Sequence, residues 1–119
     1  MSLKYGISLP QGWTMDLAGI NDPVEAYETM TNVARTAEEV GFDTVWTSDA
    51  FWPANGPVNV YRDSQPLQEF LFECWTTTAA LARDTSRVRI GQMVTNNLFR
   101  HPALLAKMAA GLYVPGAIC

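Results

Sequence analysis

The chain has 119 residues, a formal charge of −4, and a composition that is 48% hydrophobic but only 17% charged. That length suits one domain with a real core, and a net negative charge without any cluster of Lys and Arg speaks against a nucleic-acid partner. A charged fraction below the usual quarter points to an apolar face that another copy or a partner would cover, so a homo-oligomer is expected.

Met1 to Pro10 holds one lysine, no apolar run of signal-peptide length and no small-residue cleavage site, which makes the cytoplasm the expected compartment. No stretch has the roughly 18 apolar residues of a membrane span. Tyr5 to Leu9 reads as the first strand, stopped by Pro10. The loop Gln11 to Asn21 is long for a strand-to-helix connection. Asp22, Pro23 and Glu25 then mark a helix start, with Asp22 as cap, Pro23 in the first turn and Glu25 completing a capping-box-like pair. Tyr27, Met30, Ala34, Ala37 and Val40 form one apolar stripe, with Glu28, Arg35, Glu38 and Glu39 mostly turned to water. Gly41 is the expected left-handed stop, and Phe42 can fold back on the last turn.

A second strand follows at once, Thr44 to Ser48. Its exit, Asp49 to Pro66, is a long connection carrying Phe51, Trp52 and Tyr61, aromatics that argue against plain disorder. A second helix is predicted over Leu67 to Arg83, burying Phe70, Leu71, Cys74, Trp75, Thr78 and Leu81. After a turn at Asp84 to Arg87 comes VRIGQMVTNNLFRHPALLAK, Val88 to Lys107. It begins as a strand buried on at least one face, with Val88, Ile90, Met93 and Val94. It ends as a helix with Pro102 in its first turn and a stripe of Leu104, Leu105 and Met108. The hinge between, Thr95 to Arg100, is too polar for a strand and too apolar for an idle loop.

Strand and helix therefore alternate three times, which implies a parallel sheet with right-handed crossovers. Connections leaving strands are long and rich in aromatic, Asn and Asp residues; those entering strands are short. In parallel α/β folds ligands sit at the carboxyl ends of strands, so any chemistry belongs around Met93 to Arg100. No glycine-rich phosphate loop follows the first strand, leaving a dinucleotide site without support, and no metal site is expected.

KYGISLP, the helix ending EEVGF with DTVWTSDAFW, and ECWTTTAALARDTSRVRIGQMVTNNLFRHPALLAKMAA resemble, in order and spacing, the first three βα units of luciferase-like flavin or deazaflavin oxidoreductases. VTNNLFRHPA is most similar to the coenzyme F-420 (deazaflavin) branch. The match covers about 4–110 of a single domain, 1–119, with 111–119 reading as an aberrant tail and the chain as truncated. The resemblance implies a partial TIM (β/α)8 barrel, of which about 250 residues would be the whole. It implies a luciferase-like monooxygenase or oxidoreductase that transfers hydride between a small-molecule substrate and coenzyme F-420, with FMN as the alternative cofactor. It places Asp49 in the cofactor pocket with Met93, Val94, Thr95, Asn96 and Asn97, and a non-proline cis peptide at Met93 to Val94. Many relatives carry histidine after the aspartate; Ala50 stands here, so hydride delivery is expected without that base.

Each signal also has a plainer explanation. Asp49 could cap a turn, and Asn96 and Asn97 could be turn formers. Trp13, Phe51, Trp52 and Tyr61 could be loop packing or a cleft wall. His101 reads as a helix cap, Met93 and Met108 as core filler, and Cys74 as core; with Cys119 at the last position, no disulfide framework is expected. The alternative function is a non-catalytic barrel fragment that self-associates or acts as an interaction subunit.

Overall fold

A computed structural model describes residues 2–54, 61–62, 65–66 and 70–113. Three strands, β1 (Gly6–Ser8), β2 (Thr44–Thr47) and β5 (Arg89–Gln92), form one parallel sheet in the order β1-β2-β5. Each is followed by a helix: α1 (Pro23–Glu39), α2 (Cys74–Asp84) and α3 (Pro102–Tyr113). The long exit of β2 contains a small antiparallel pair that its sequence did not signal, β3 (Tyr61–Arg62) against β4 (Gln65–Pro66). Pro66 at the end of β4 is tolerated because a two-stranded ribbon leaves its outer edge unpaired. The tail expectation for 114–119, Cys119 included, falls outside the described residues, as does the Tyr61 side chain.

Strand register builds the core. Ile7 pairs with Val45 and Val45 with Ile90, so one apolar row crosses the sheet, and Met30, Ala34 and Ala37 of α1 pack on it with Leu9, Leu81 and Val88. Trp46 points to the opposite face and lies across it. A Cβ at Gly91, its partner in β5, or at Gly6, two residues before its β1 partner Ser8, would stand 2.3 Å from its indole, so the ring takes the space that a side chain at either position would need.

Helix α1 begins as its sequence dictates. Asp22 accepts the Val24 N–H at 2.9 Å, while Glu25 makes no return bond to the cap among the described hydrogen bonds. It ends at Gly41, φ +96°, where the Phe42 N–H reaches the Ala37 carbonyl at 2.9 Å. The buried stripe is Ala26, Met30, Thr31, Ala34 and Ala37. Val40 is exposed instead of closing the stripe, because it is already the C-cap and the chain turns away there.

Glu38 is not turned to water either. Its carboxylate accepts the amides of Ser86 at 3.0 Å and Val88 at 2.7 Å, and that of Arg87, anchoring the turn that feeds β5. Burial alone would raise its pKa, but these three backbone donors outweigh it and hold the carboxyl below its ordinary value of 4.5. A carboxylate whose folded pKa is depressed contributes stability that is present above its unfolded pKa and lost as pH falls through the folded one. Urea midpoints are therefore expected to fall below about pH 4.5, and Glu38→Gln to flatten that fall while lowering the midpoint at pH 7. An unchanged acid limb in the variant would assign the pH dependence elsewhere.

Helix α2 starts later than the apolar pattern predicts. Glu73 is its N-cap, its carboxylate accepting the amides of Trp75 at 3.2 Å and Thr76 at 2.7 Å. Phe70 and Leu71 precede the helix and are half-buried, because the Phe72 backbone is already bound by Gln11 and cannot enter helical hydrogen bonding. Cys74, Trp75, Thr77, Thr78 and Leu81 are the buried face. Helix α3 has no buried residue among those described, and Leu104 of its apolar stripe is 53% exposed. Among the described residues no helix is long and apolar enough to cross a membrane.

Candidate active site

The carboxyl ends of β1, β2 and β5 open on one side of the sheet, as parallel pairing requires, and their exit loops converge there. A cleft of about 380 Å³ is lined by Trp13, Ser48, Asp49, Ala50 and the run Met93 to Asn97. A second hollow of about 290 Å³, beside the β1 exit, shares Trp13, Ser48 and Met93 with it. The structure thus brings all six residues singled out in the sequence, Asp49, Met93, Val94, Thr95, Asn96 and Asn97, to one place.

Met93 and Val94 are not core. The strand ends at Gln92, and Met93, read as core filler, and Val94, the last residue of the apolar run, stand 52% and 73% exposed at the cleft. Their peptide bond is cis, and the Met93 N–H still reaches the Thr47 carbonyl at 2.7 Å. Apolar side chains thus form a platform in a depression walled by Trp13 and Ala50 and edged by the polar Ser48, Asp49, Thr95, Asn96 and Asn97. Asn96 is a turn former, its Oδ1 accepting the Leu98 N–H at 2.9 Å. His101 caps α3, Nδ1 accepting the Ala103 N–H at 3.2 Å.

Asp49 lines the cleft, yet its side chain is only 1% exposed. The carboxylate accepts the Asn96 N–H at 2.9 Å and holds Arg100 by two parallel bonds of 2.6 and 2.9 Å. The same guanidinium also bonds the Glu73 carboxylate. The Asp49 carboxylate, its strongest partner, raises the Arg100 pKa, so the arginine stays charged at every accessible pH. Glu73 is held below the usual carboxylate range: burial would raise it, but the Thr76 and Trp75 donors and Arg100 prevail.

Sequence reasoning reached Arg100 only as the end of the region Met93 to Arg100, without a role, and missed Glu73 and Gln11. Gln11 is fully buried; its Nε2 donates to the carbonyls of Ser48 at 2.9 Å and Phe72 at 2.6 Å, and its Oε1 accepts the Ser48 N–H at 2.6 Å. One amide therefore fixes the exits of β1 and β2 against the approach to α2. The available signals were a lone arginine inside the apolar hinge LFRHP and a glutamate three residues before Thr76. Of the loop aromatics, Trp13 lines the cleft, its carbonyl accepting the Ala54 N–H at 2.7 Å. Phe51 stacks on Phe99 with ring centroids 3.9 Å apart, tying the exits of β2 and β5 together.

Cys74 lies directly behind this network. Burial pushes its thiol up to about 11, and its Sγ is 3.3 Å from the Thr47 hydroxyl, so it is a neutral packing group and not a nucleophile. Among the described residues no group of His, Cys, Asp and Glu is arranged to hold a metal ion.

Comparison with known proteins adds a family. The luciferase-like monooxygenase family model matches residues 4–113. Among solved structures, an F-420-dependent secondary alcohol dehydrogenase, determined with an F-420–acetone adduct, is 28% identical with a TM-score of 0.62 over 98% of this chain. The monooxygenase RslO1 from Streptomyces bottropensis is 26% identical with a TM-score of 0.69, also over 98% of this chain. The chain spans 30% and 31% of the lengths of those two proteins. No curated protein matches.

Proposed function

This chain belongs to the luciferase-like monooxygenase family, and from that premise we propose that it supplies the first three βα units of a TIM barrel oxidoreductase and their share of a flavin-type cofactor site. The observation that carries the reading is the exposed apolar pair Met93 and Val94 at the carboxyl ends of three parallel strands. Exposed apolar surface inside a cleft is a landing place for a flat ring, and the amide and hydroxyl groups beside it can fix that ring's orientation. The residues present fit such a group: Met93 and Val94 give a face, Trp13 a side wall, and Ser48, Thr95, Asn96 and Asn97 polar edges. When bound, the ring would supply hydride chemistry. The chain's own part is to present one face of the ring to the substrate and to keep water from the other.

Coenzyme F-420 is the preferred cofactor, with FMN as the alternative. The similarity of VTNNLFRHPA to the deazaflavin branch and the F-420-dependent structural neighbour support that order. Ala50, next to Asp49, brings no imidazole to the cleft, and no other histidine lies in it, so proton transfer by this portion is not part of the proposal. Titration of the purified chain with coenzyme F-420 and with FMN, followed by absorbance and fluorescence, is expected to show saturable binding with the deazaflavin preferred. Absence of binding at high micromolar concentrations of both would remove the claim that this chain holds a pocket.

A second reading is a non-catalytic barrel portion that self-associates in the cytoplasm. It is favoured by the unburied α3 and by an apolar groove of about 410 Å³ beside β1, lined by Ile7, Val33, Ala37, Val40 and Phe42. Gel filtration giving a compact monomer would count against it.

A further inference from the structure

The run Met93 to Asn97 poses a problem of rigidity. A platform can orient a ring only if it is itself held, yet Met93 and Val94 are exposed and so receive little packing of their own. What holds the run is hydrogen bonding from behind: Met93 N–H to the Thr47 carbonyl, and Asn96 N–H to the Asp49 carboxylate. Asp49 in turn is held by Arg100, which lies outside the cleft lining and therefore touches neither space where a ligand would sit.

We propose that Arg100 is the positioning residue of this site. Its guanidinium latches the exit of β2 through Asp49 and the cap of α2 through Glu73, and so sets the Met93 to Asn97 platform. Three features support the assignment. The Arg100–Asp49 contact is bidentate, the geometry that fixes direction as well as distance. Its side chains are 10% and 1% exposed, so water does not compete with it effectively. The Glu73 arm ends on a carboxylate that is already spanning the second and third amides of α2, those of Trp75 and Thr76, so the latch is tied to a helix and not to another loop. A lysine could supply the charge, but not two parallel bonds to Asp49 together with a third to Glu73.

The part of this proposal that concerns ligand binding rests on the cofactor reading above; the part that concerns the platform does not, and the test separates them. Hydrogen exchange would be followed by mass spectrometry on the full chain and on Arg100→Met and Arg100→Lys, alongside titration with coenzyme F-420 and FMN. Arg100→Met is expected to speed amide exchange at least tenfold across 93–98, leave α1 protection unchanged, and weaken cofactor binding at least tenfold. Arg100→Lys should restore part of both. Uniform loss of protection over the whole chain would make Arg100 a general structural residue, and unchanged exchange at 93–98 would overturn the latch outright. Should Arg100→Met not fold, Arg100→Lys decides: local acceleration supports the proposal, and wild-type exchange at 93–98 overturns it. If the unaltered chain binds neither cofactor while 93–98 still loosens in the variants, the cofactor reading fails and the latch stands.

Discussion

Gly12→Ala is expected to destabilise the chain by more than about 3 kcal/mol, whereas Gly41→Ala should cost only about 1 kcal/mol. Both glycines have the same left-handed backbone, φ +97° and +96°, so the conformational cost is common to both. The difference is space. A Cβ at Gly41 meets nothing within 4 Å, but one at Gly12 would fall 1.6 Å from the Phe70 carbonyl oxygen. That obstacle is backbone and cannot swing aside. The Phe72 N–H donates to the Gln11 carbonyl at 3.1 Å, and the Gln11 side chain donates to the Phe72 carbonyl at 2.6 Å. Relief would therefore break bonds that fix the β1 exit, and Trp13, one residue on, would leave the cleft wall. Urea denaturation of the two variants checks this directly; equal midpoints would mean that the loop and the Phe70 segment are not in contact.

The second large effect contrasts a core position with an exposed one of similar chemistry. Ile90→Ala should cost about 2–5 kcal/mol, because Ile90 is fully buried in the row shared with Val45 and Ile7, and its truncation leaves a cavity inside the core. Leu104→Ala on α3 should change stability by no more than about 0.5 kcal/mol. Periodicity cannot tell these two apart, since both belong to apolar patterns. Denaturation should be measured on the monomeric fraction from gel filtration, where no second copy can cover α3. A Leu104→Ala loss as large as that of Ile90→Ala would show that α3 packs its apolar stripe within the chain, contrary to the fold described here.

These contrasts mark where sequence reasoning succeeded. The α1 start rests on Asp22 and Pro23, and its end on Gly41; these are local effects of capping and backbone freedom, and they operate wherever the helix is later placed. The start of α2 was misread for the opposite reason. Phe70 and Leu71 suit a helix by pattern, but a bond from Gln11, 61 residues away in the chain, takes the Phe72 backbone first. Met93 and Val94 look like core because they continue the apolar run of β5; that they lie beyond the last strand pair, Thr47 with Gln92, is visible only once β2 has ended beside them. Arg100 showed a lone charge in an apolar hinge, with nothing in the sequence to reveal that its partners are residues 49 and 73.

Alternation of apolar strands and striped helices, with short entries and long exits, settled from the sequence alone that the sheet is parallel and that the conspicuous residues would gather at its carboxyl end. Those properties follow from side-chain periodicity and turn chemistry, which act over a few residues. What the tertiary structure alone decided is which groups face one another there: Asp49 with Arg100, Gln11 with Ser48 and Phe72, and Glu38 with the turn before β5. A charge or an amide leaves no periodic trace of its partner, because the pairing is set by where distant loops are carried when the sheet is assembled.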